Sequence, residues 1–370
     1  MDAKKILMIA PKTDTFVNFR GDLIRDIRKK GYDVTVVIPE DDCKKFFKEN
    51  GVKTRLINLD KNSTSVLNTL AYYRDLKTII AEEHPDKVFS YTIKPVIFGS
   101  LAAHSVGVKE IYSLICGLGL LFSSYSMKIR ALRAICGVLY KRALKHNSKV
   151  IFQNQDDIDE FIKRKYVKKS QCELVNGSGV NLEKFKRNKL PRNISFIMVS
   201  RVLKEKGVLE YFEAAKIVKE KYPEVHFTYI GAIDKNKNAI NLEMLEPYIK
   251  EKIVEYVPET KKVEEYLAKS SVFVLPSYYR EGIPKTLLEA TAMGRPIITT
   301  NTPGCKETVI EKKNGLFVKT RSIDDLSNKI IYVIKHKDSL QKMGDASYAI
   351  CLEKFTIGAI NNRMKQIMRI

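Results

Sequence analysis

Ser271–Thr300 reads SVFVLPSYYREGIPKTLLEATAMGRPIITT. Its two ends are short, unbroken apolar runs, VFVL and IITT, of the composition found in strands buried on both faces. Between them lies a loop, then a helix from Pro284 to Met293, with Pro284 suited to the first helical turn. Strand, loop, helix and strand in that order make a βαβ unit, and the same alternation extends outward. Upstream come ISFIMVS (Ile194–Ser200), a helix from Gly207 to Tyr222, VHFTYIG (Val225–Gly231), a helix near Leu242–Lys250, IVEY (Ile253–Tyr256) and a helix from Lys261 to Ala268. Before these, Asn176–Pro191 (NGSGVNLEKFKRNKLP) is rich in turn formers and basic residues and reads as a linker.

A first α/β series precedes the linker. It opens with KKILMIA, a helix from Phe16 to Lys30, Gly31 and DVTVVIP. Strands follow at Thr54–Leu59, Lys87–Tyr91, Glu110–Ile115 and Lys149–Phe152, with helices at Val66–Glu83, Pro95–Val106 and Met127–His146. The expectation is an α/β protein of two parallel-sheet units, with ligands gathered outside the carboxyl ends of the strands. No fixed repeat points to a solenoid.

The 370 residues carry 65 Lys and Arg against 43 Asp and Glu, a net charge of +22, with 44% hydrophobic residues. That excludes a disordered or collagen-like chain and suits two domains, each with a core. The six cysteines form no C-x-x-C pair, which disfavours a disulfide framework or zinc site and fits a reducing cytosol. The apolar run after Lys4-Lys5 stops at Pro11, too short for a secretory signal, and Ile111–Met127 falls short of a membrane span. The excess charge admits nucleic acid, an anionic membrane surface or a phosphorylated substrate. Nucleic acid is disfavoured, because the cations are dispersed and no tryptophan offers a stacking platform.

Glu281 and Glu289, with seven residues between them, flank the start of the Pro284 helix. Unpaired N–H groups there suit a sugar or phosphate, and a carboxylate on the second turn can accept two hydrogen bonds from a ribose diol. The alternative is an ordinary helix-start acid and a solvated helix residue. In the loop RVLKEKG (Arg201–Gly207), two cations, Arg201 and Lys206, converge on the start of the next helix, where they can neutralise a diphosphate without a metal. The alternative is a solvated basic turn.

SRVLKEKGV, YIG, FVLPSYYREGIPKTLLEATAMGRPIITT and NTPGCKETV, in that order, resemble the retaining glycosyltransferases of family four. The resemblance implies the GT-B fold, two Rossmann-like domains facing each other across a cleft. The N-terminal, acceptor-binding domain would span 1–180, with a C-terminal helix over 356–370 packing back on it, and the nucleotide-sugar domain 190–355. It implies that Arg201 and Lys206 bind the donor diphosphate and that Glu289 holds the ribose. Glu281, with backbone groups of Gly282, Ile283 and Pro284, would meet the donor sugar. Glu281, Arg201 and Lys206 are then the catalytic set, with no metal and no cofactor.

FVNFRGDLIRDIRKKGYDVTVVIP and the turn Gly117-Leu118-Gly119 resemble the branch that builds bacterial capsule, lipopolysaccharide and lipid-linked oligosaccharides. Many members carry a histidine in the acceptor-side loop, where this chain has Ile115 and Cys116. Arg20, Lys94 and Gly117 are the candidate acceptor-binding residues, Arg20 and Lys94 as partners of an acceptor phosphate or as surface cations.

Asp157 and Asp159 imitate a two-carboxylate metal motif, but two residues apart on a helix point about 200° from one another. The five histidines have no paired metal spacing. The Asn62-Ser-Thr sequon reads as a helix cap. Leu121–Lys149 holds seven cations (Lys128, Arg130, Arg133, Lys141, Arg142, Lys145, Lys149) and no acid. On a helical projection Ile129, Leu132, Ile135, Cys136 and Leu139 take one side, and Arg130, Arg133, Lys141, Arg142 and Lys145 the other. That is either a sheet cover with a wet basic face or a peripheral contact with anionic lipid.

The sequence therefore predicts a retaining, metal-independent glycosyltransferase of bacterial surface-glycan synthesis. The donor is a nucleotide sugar, UDP-linked, and the acceptor lipid-linked or a glycan, at the inner face of the cell membrane. A same-fold epimerase or phosphorylase is the alternative, and a nucleic-acid-binding protein a distant one.

Overall fold

A computed structural model describes residues 3–59, 65–123, 126–233 and 239–370. The chain forms two compact units, one of residues 1–178 with 357–370, the other of residues 179–356. The Asn62 sequon lies outside the described residues.

The first unit runs β1 (Lys5–Ile9), α1 (Thr13–Lys29), β2 (Asp33–Ile38), α2 (Lys44–Glu49), β3 (Lys53–Leu56), α3 (Val66–Glu83) and β4 (Lys87–Tyr91). A π-helical turn over Pro95–Gly99 leads into α4 (Ser100–Ser105), then β5 (Glu110–Ile115), α5 (Gly119–Ser123), α6 (Met127–Leu144), β6 (Lys149–Phe152), α7 (Gln155–Lys163) and β7 (Cys172–Leu174). All strand pairs are parallel, in the order β3-β2-β1-β4-β5-β6-β7. Alternate residues of β1 serve opposite faces, as the pleat requires. Ile6 and Met8 pack with Phe16, Leu23 and Ile27 of α1, whereas Leu7 and Ile9 pack with Tyr72, Leu76 and Ile80 of α3.

The second unit runs β8 (Ser195–Val199), α8 (Val208–Lys221), β9 (His226–Ile230), α9 (Glu246–Lys250), β10 (Glu255–Val257), α10 (Val263–Ala268) and β11 (Val272–Leu275). Then come α11 (Lys285–Ala292), β12 (Ile297–Thr300), β13 (Gly315–Val318), α12 (Ile323–Lys335) and α13 (Leu340–Lys354). Its strand order is β10-β9-β8-β11-β12-β13, again parallel. The last helix, α14 (Ile357–Met368), returns to the first unit and buries Ile360, Met364 and Ile367 in the α1 core.

In an open α/β sheet, the crevice lies where the strand order reverses. That point is β1/β4 in the first unit and β8/β11 in the second. The stretch expected as a linker is only briefly one: from Gly179 onward it belongs to the second unit, with Val180 and Phe185 buried in that core.

Candidate active site

The β8/β11 switch point carries the donor-side candidates. Arg201 leaves β8 in a loop that prolongs the sheet ladder: Ser200 N donates to Ile230 O at 3.0 Å and Val202 N to Ala232 O at 3.0 Å. Gly231 permits this approach, because a Cβ there would lie 2.0 Å from Ser200 O. Arg201 is thereby held at the strand end with its side chain exposed. A 3-10 turn, Lys204–Lys206, follows and ends at Gly207, whose φ is +77°. A Cβ at Gly207 would meet Pro276 O at 2.4 Å, so this glycine seats the turn against the end of β11.

Lys206 is buried, and its Nζ forms an ion pair with Glu281 Oε1. The ammonium also sits 5.7 Å from the centre of the Tyr279 ring. Tyr278 N donates to Glu205 O at 2.9 Å, which ties the two loops together. The pair spans 75 residues of sequence, which is why local spacing does not reveal it. Neither residue is a solvated end of a turn.

Gly282, Ile283 and Pro284 are buried between Glu281 and α11, with Pro284 at the N-cap position. A residue without an assigned role in the sequence reading fixes this loop: Gly304, with φ +91°. A Cβ on it would lie 2.0 Å from Gly282 O and 2.6 Å from Glu281 O. Its N–H donates to Glu307 Oε2 at 2.7 Å. The quoted NTPGC segment was its only signal.

Glu289 lies on the second turn of α11 and is 7% exposed, so it is not a solvated helix residue. Burial pushes its carboxyl up to about 7, opposed by Lys285 and Lys184 and assisted by Glu264. Lys285 Nζ stands 3.9 Å away. The free protein thus holds a carboxyl poised near neutrality on a helix that begins beside the Lys206–Glu281 pair.

The first-unit candidates separate. Arg20 is buried on α1, on the Ile6/Met8 face of the sheet. Lys94 lines a polar cavity of about 120 Å³ against α3, with Asn58, Asn68, Thr69, Tyr72 and Asp75, on the other face. Gly117 has φ +97° and turns the chain after β5.

α6 corrects the helical projection. The buried residues are Gly137, Tyr140, Ala143 and Leu144, while Leu132 and Ile135 are exposed together with Met127 and Val138. Arg133 is not on a wet basic face: its Nε donates to Leu121 O at 2.5 Å, and its guanidinium lies 5.7 Å from the Phe122 ring centre. Lys128, Arg130, Lys141, Arg142 and Lys145 are exposed among the apolar side chains. No helix among the described residues is long and apolar enough to cross a membrane.

Asp157 is buried and capped by Asn154, whereas Asp159 is exposed and accepts from Gln155 at 2.8 Å, so the two do not share a ligand. No group of three or more metal-ligating side chains occurs among the described residues. His104 stacks on His146, with ring centres 3.5 Å apart.

Two doubly wound parallel-sheet units are the architecture of GT-B glycosyltransferases. Solved structures agree: a glycosyltransferase from Rickettsia africae superposes with a TM-score of 0.79 at 17% identity over 100% of this chain and 98% of that one. Anabaena HepE in complex with UDP and glucose gives 0.79 at 16% identity over the whole of both chains. The family model "Glycosyl transferases group 1" matches residues 180–349, and "Glycosyl transferase 4-like" matches residues 5–154. The chain belongs to the family-four glycosyltransferases. An N,N'-diacetylbacillosaminyl-diphospho-undecaprenol alpha-1,3-N-acetylgalactosaminyltransferase of Campylobacter jejuni is 27% identical over 86% of each chain. A UDP-Gal:alpha-D-GlcNAc-diphosphoundecaprenol alpha-1,3-galactosyltransferase of Escherichia coli is 25% identical over 83% of this chain and 81% of that one.

Proposed function

We propose that this glycosyltransferase moves a sugar from a UDP-linked donor to a lipid-linked glycan acceptor, with retention of anomeric configuration and without a metal, in bacterial surface-glycan synthesis. The observation that carries the reading is the buried Lys206–Glu281 pair at the β8/β11 switch point, beside the helix that bears Glu289. The Campylobacter and Escherichia relatives, both named for acceptors on diphosphoundecaprenol, support the acceptor class.

The chemistry requires a seat for a departing diphosphate and a stabiliser for a sugar with oxocarbenium character. Arg201 and Lys206 offer the first. In the free protein Lys206 is neutralised by Glu281, and a bound diphosphate competes for the same ammonium. As charge accumulates on the leaving phosphate, Lys206 shifts toward it, and the Glu281 carboxylate faces the positive sugar ring. Glu289, ionised, accepts from the ribose hydroxyls. Gly304 and Gly207 keep both loops in register.

The exposed cations and apolar side chains of α6 support peripheral docking at the inner face of the membrane, each cation near anionic lipid contributing about 1 kcal/mol. The test is nucleotide release from a panel of nucleotide sugars, with and without a prenyl-diphosphate saccharide and with excess EDTA. Acceptor-stimulated UDP release that survives EDTA is expected. Release from another nucleotide class, or loss restored by Mn²⁺, overturns the respective part.

A further inference from the structure

The second unit places its charged pair at a switch point, and the corresponding point of the first unit, β1/β4, also holds a charge, but an unbalanced one. Arg20 is only 4% exposed and forms no ion pair among the described residues. The acidic groups of α1 are engaged or turned away: Asp22 pairs with Arg25 at 2.5 Å, Asp26 accepts from Asn361 at 2.9 Å, and Asp14 is exposed. The guanidinium carbon lies 5.9 Å from the Tyr91 ring centre at the end of β4, and Arg20 also hydrogen-bonds the Cys116 thiol at the end of β5. Its Nε has no acceptor.

A buried cation left without a partner costs several kcal/mol, so its persistence calls for a compensating group. Arg295 shows what a structural buried arginine looks like here. Its Nε also lacks an acceptor, but its two terminal nitrogens donate to Ser270 O at 2.8 Å, to Asn188 O at 3.2 Å and to Asn188 Oδ1. Arg20 has a ring face and a thiol instead.

Two further features mark the same spot. Thr92, directly after β4, has φ +69°, a strained conformation for a residue with a Cβ, and its Oγ1 is buried without a partner. Gly117, after Cys116, has φ +97° and turns the chain at the adjacent strand end. A free guanidinium N–H, a free hydroxyl and a glycine turn, with no carboxylate among them, suit a multiply charged oxyanion.

We infer that the β1/β4 switch point of the first unit seats the diphosphate of the acceptor, with Arg20 and Thr92 as its ligands. This rests on the proposed lipid-diphosphate-linked acceptor. The cation is desolvated in advance, so the incoming phosphate oxygens complete its hydrogen bonds, and Arg20 discriminates diphosphate-linked acceptors from free glycans. Arg20 is a binding residue in this account and takes no part in the bond-making step.

Inorganic pyrophosphate titrated into the full-length protein, with saturating UDP occupying the donor site, tests it by calorimetry. The wild type should bind pyrophosphate at a second site, Arg20→Met should lose at least tenfold in that affinity while still binding UDP, and Arg20→Lys should recover part of it. Arg20→Met should also melt no lower than wild type, because it removes an unpaired buried charge. No second site in the wild type, equal affinity in Arg20→Met, or a lower melting temperature for Arg20→Met overturns the assignment. A parallel transfer assay compares a prenyl-diphosphate saccharide with its phosphate-free alkyl glycoside. Arg20→Met should raise KM tenfold or more for the first alone, and an equal effect on both acceptors contradicts the inference. If the wild type transfers to neither, the acceptor reading fails, whereas the pyrophosphate titration still decides the Arg20 site.

Discussion

Replacing Glu289 by Gln probes the donor half through a proton. In the folded protein the carboxyl rises from its ordinary 4.5 to about 7, chiefly because burial disfavours its charge. At about 1.4 kcal/mol per pH unit, that rise corresponds to about 3 kcal/mol. The sign follows from linkage: the folded state holds this proton more tightly than the unfolded chain. Its contribution to stability is therefore complete below pH 4.5 and is lost as pH climbs through about 7. Glu289→Gln has no such proton, so it should gain on wild type by up to about 3 kcal/mol between pH 5 and pH 8.5. Urea unfolding of both proteins, followed by circular dichroism across that range, measures the difference. Binding should move the opposite way, since the ribose needs the ionised form. Wild-type UDP affinity should rise about tenfold from pH 6 to pH 8, and that of Glu289→Gln should be weak and flat. A stability difference that stays constant with pH, or parallel affinity profiles, refutes a buried, ribose-holding carboxyl.

Arg201→Ala and Lys206→Ala should each reduce kcat/KM for donor at least a hundredfold with the fold intact, measured by nucleotide release at subsaturating donor; full activity in both removes them from the site. Glu281→Gln should lower kcat more than it alters donor KM, because it faces the sugar and not the nucleotide, and a change confined to KM contradicts that role. Gly304→Ala should cost about 1–3 kcal/mol of stability and depress kcat, since a Cβ has no room against the Glu281–Gly282 carbonyls; a variant with wild-type melting and turnover denies that packing. Replacing Lys128, Arg130, Lys141 and Lys145 by Gln should abolish salt-sensitive sedimentation with anionic liposomes while UDP binding persists, and unchanged sedimentation leaves α6 as a sheet cover alone.

Most of the sheets was legible because their strands are continuous apolar runs. β4, β5 and β6 begin and end where the sequence places them, and so does α3, whose Ser65 side chain accepts from Asn68 N. α6 misled because periodicity ranks hydrophobicity, whereas close packing here selects small residues. Gly137 lies against Tyr166, where a Cβ would come within 2.2 Å of the hydroxyl, and the bulkier Ile135 and Val138 stay outside. The Glu281 and Glu289 spacing named the right helix, but the depth of Glu289 depends on the packing of α11 and not on its own neighbours. The Lys206–Glu281 pair and the Gly304 contact join loops far apart in sequence, and no local pattern carries that information.

The most direct test is to incubate the purified protein with α-linked UDP-sugars and a prenyl-diphosphate saccharide, and to determine the anomeric configuration of the product linkage by NMR. A new α-linked sugar on the lipid-linked saccharide, formed with stoichiometric UDP, is expected. A β-linked product, or no transfer from any UDP-sugar to any diphosphate-linked acceptor, contradicts the proposed function.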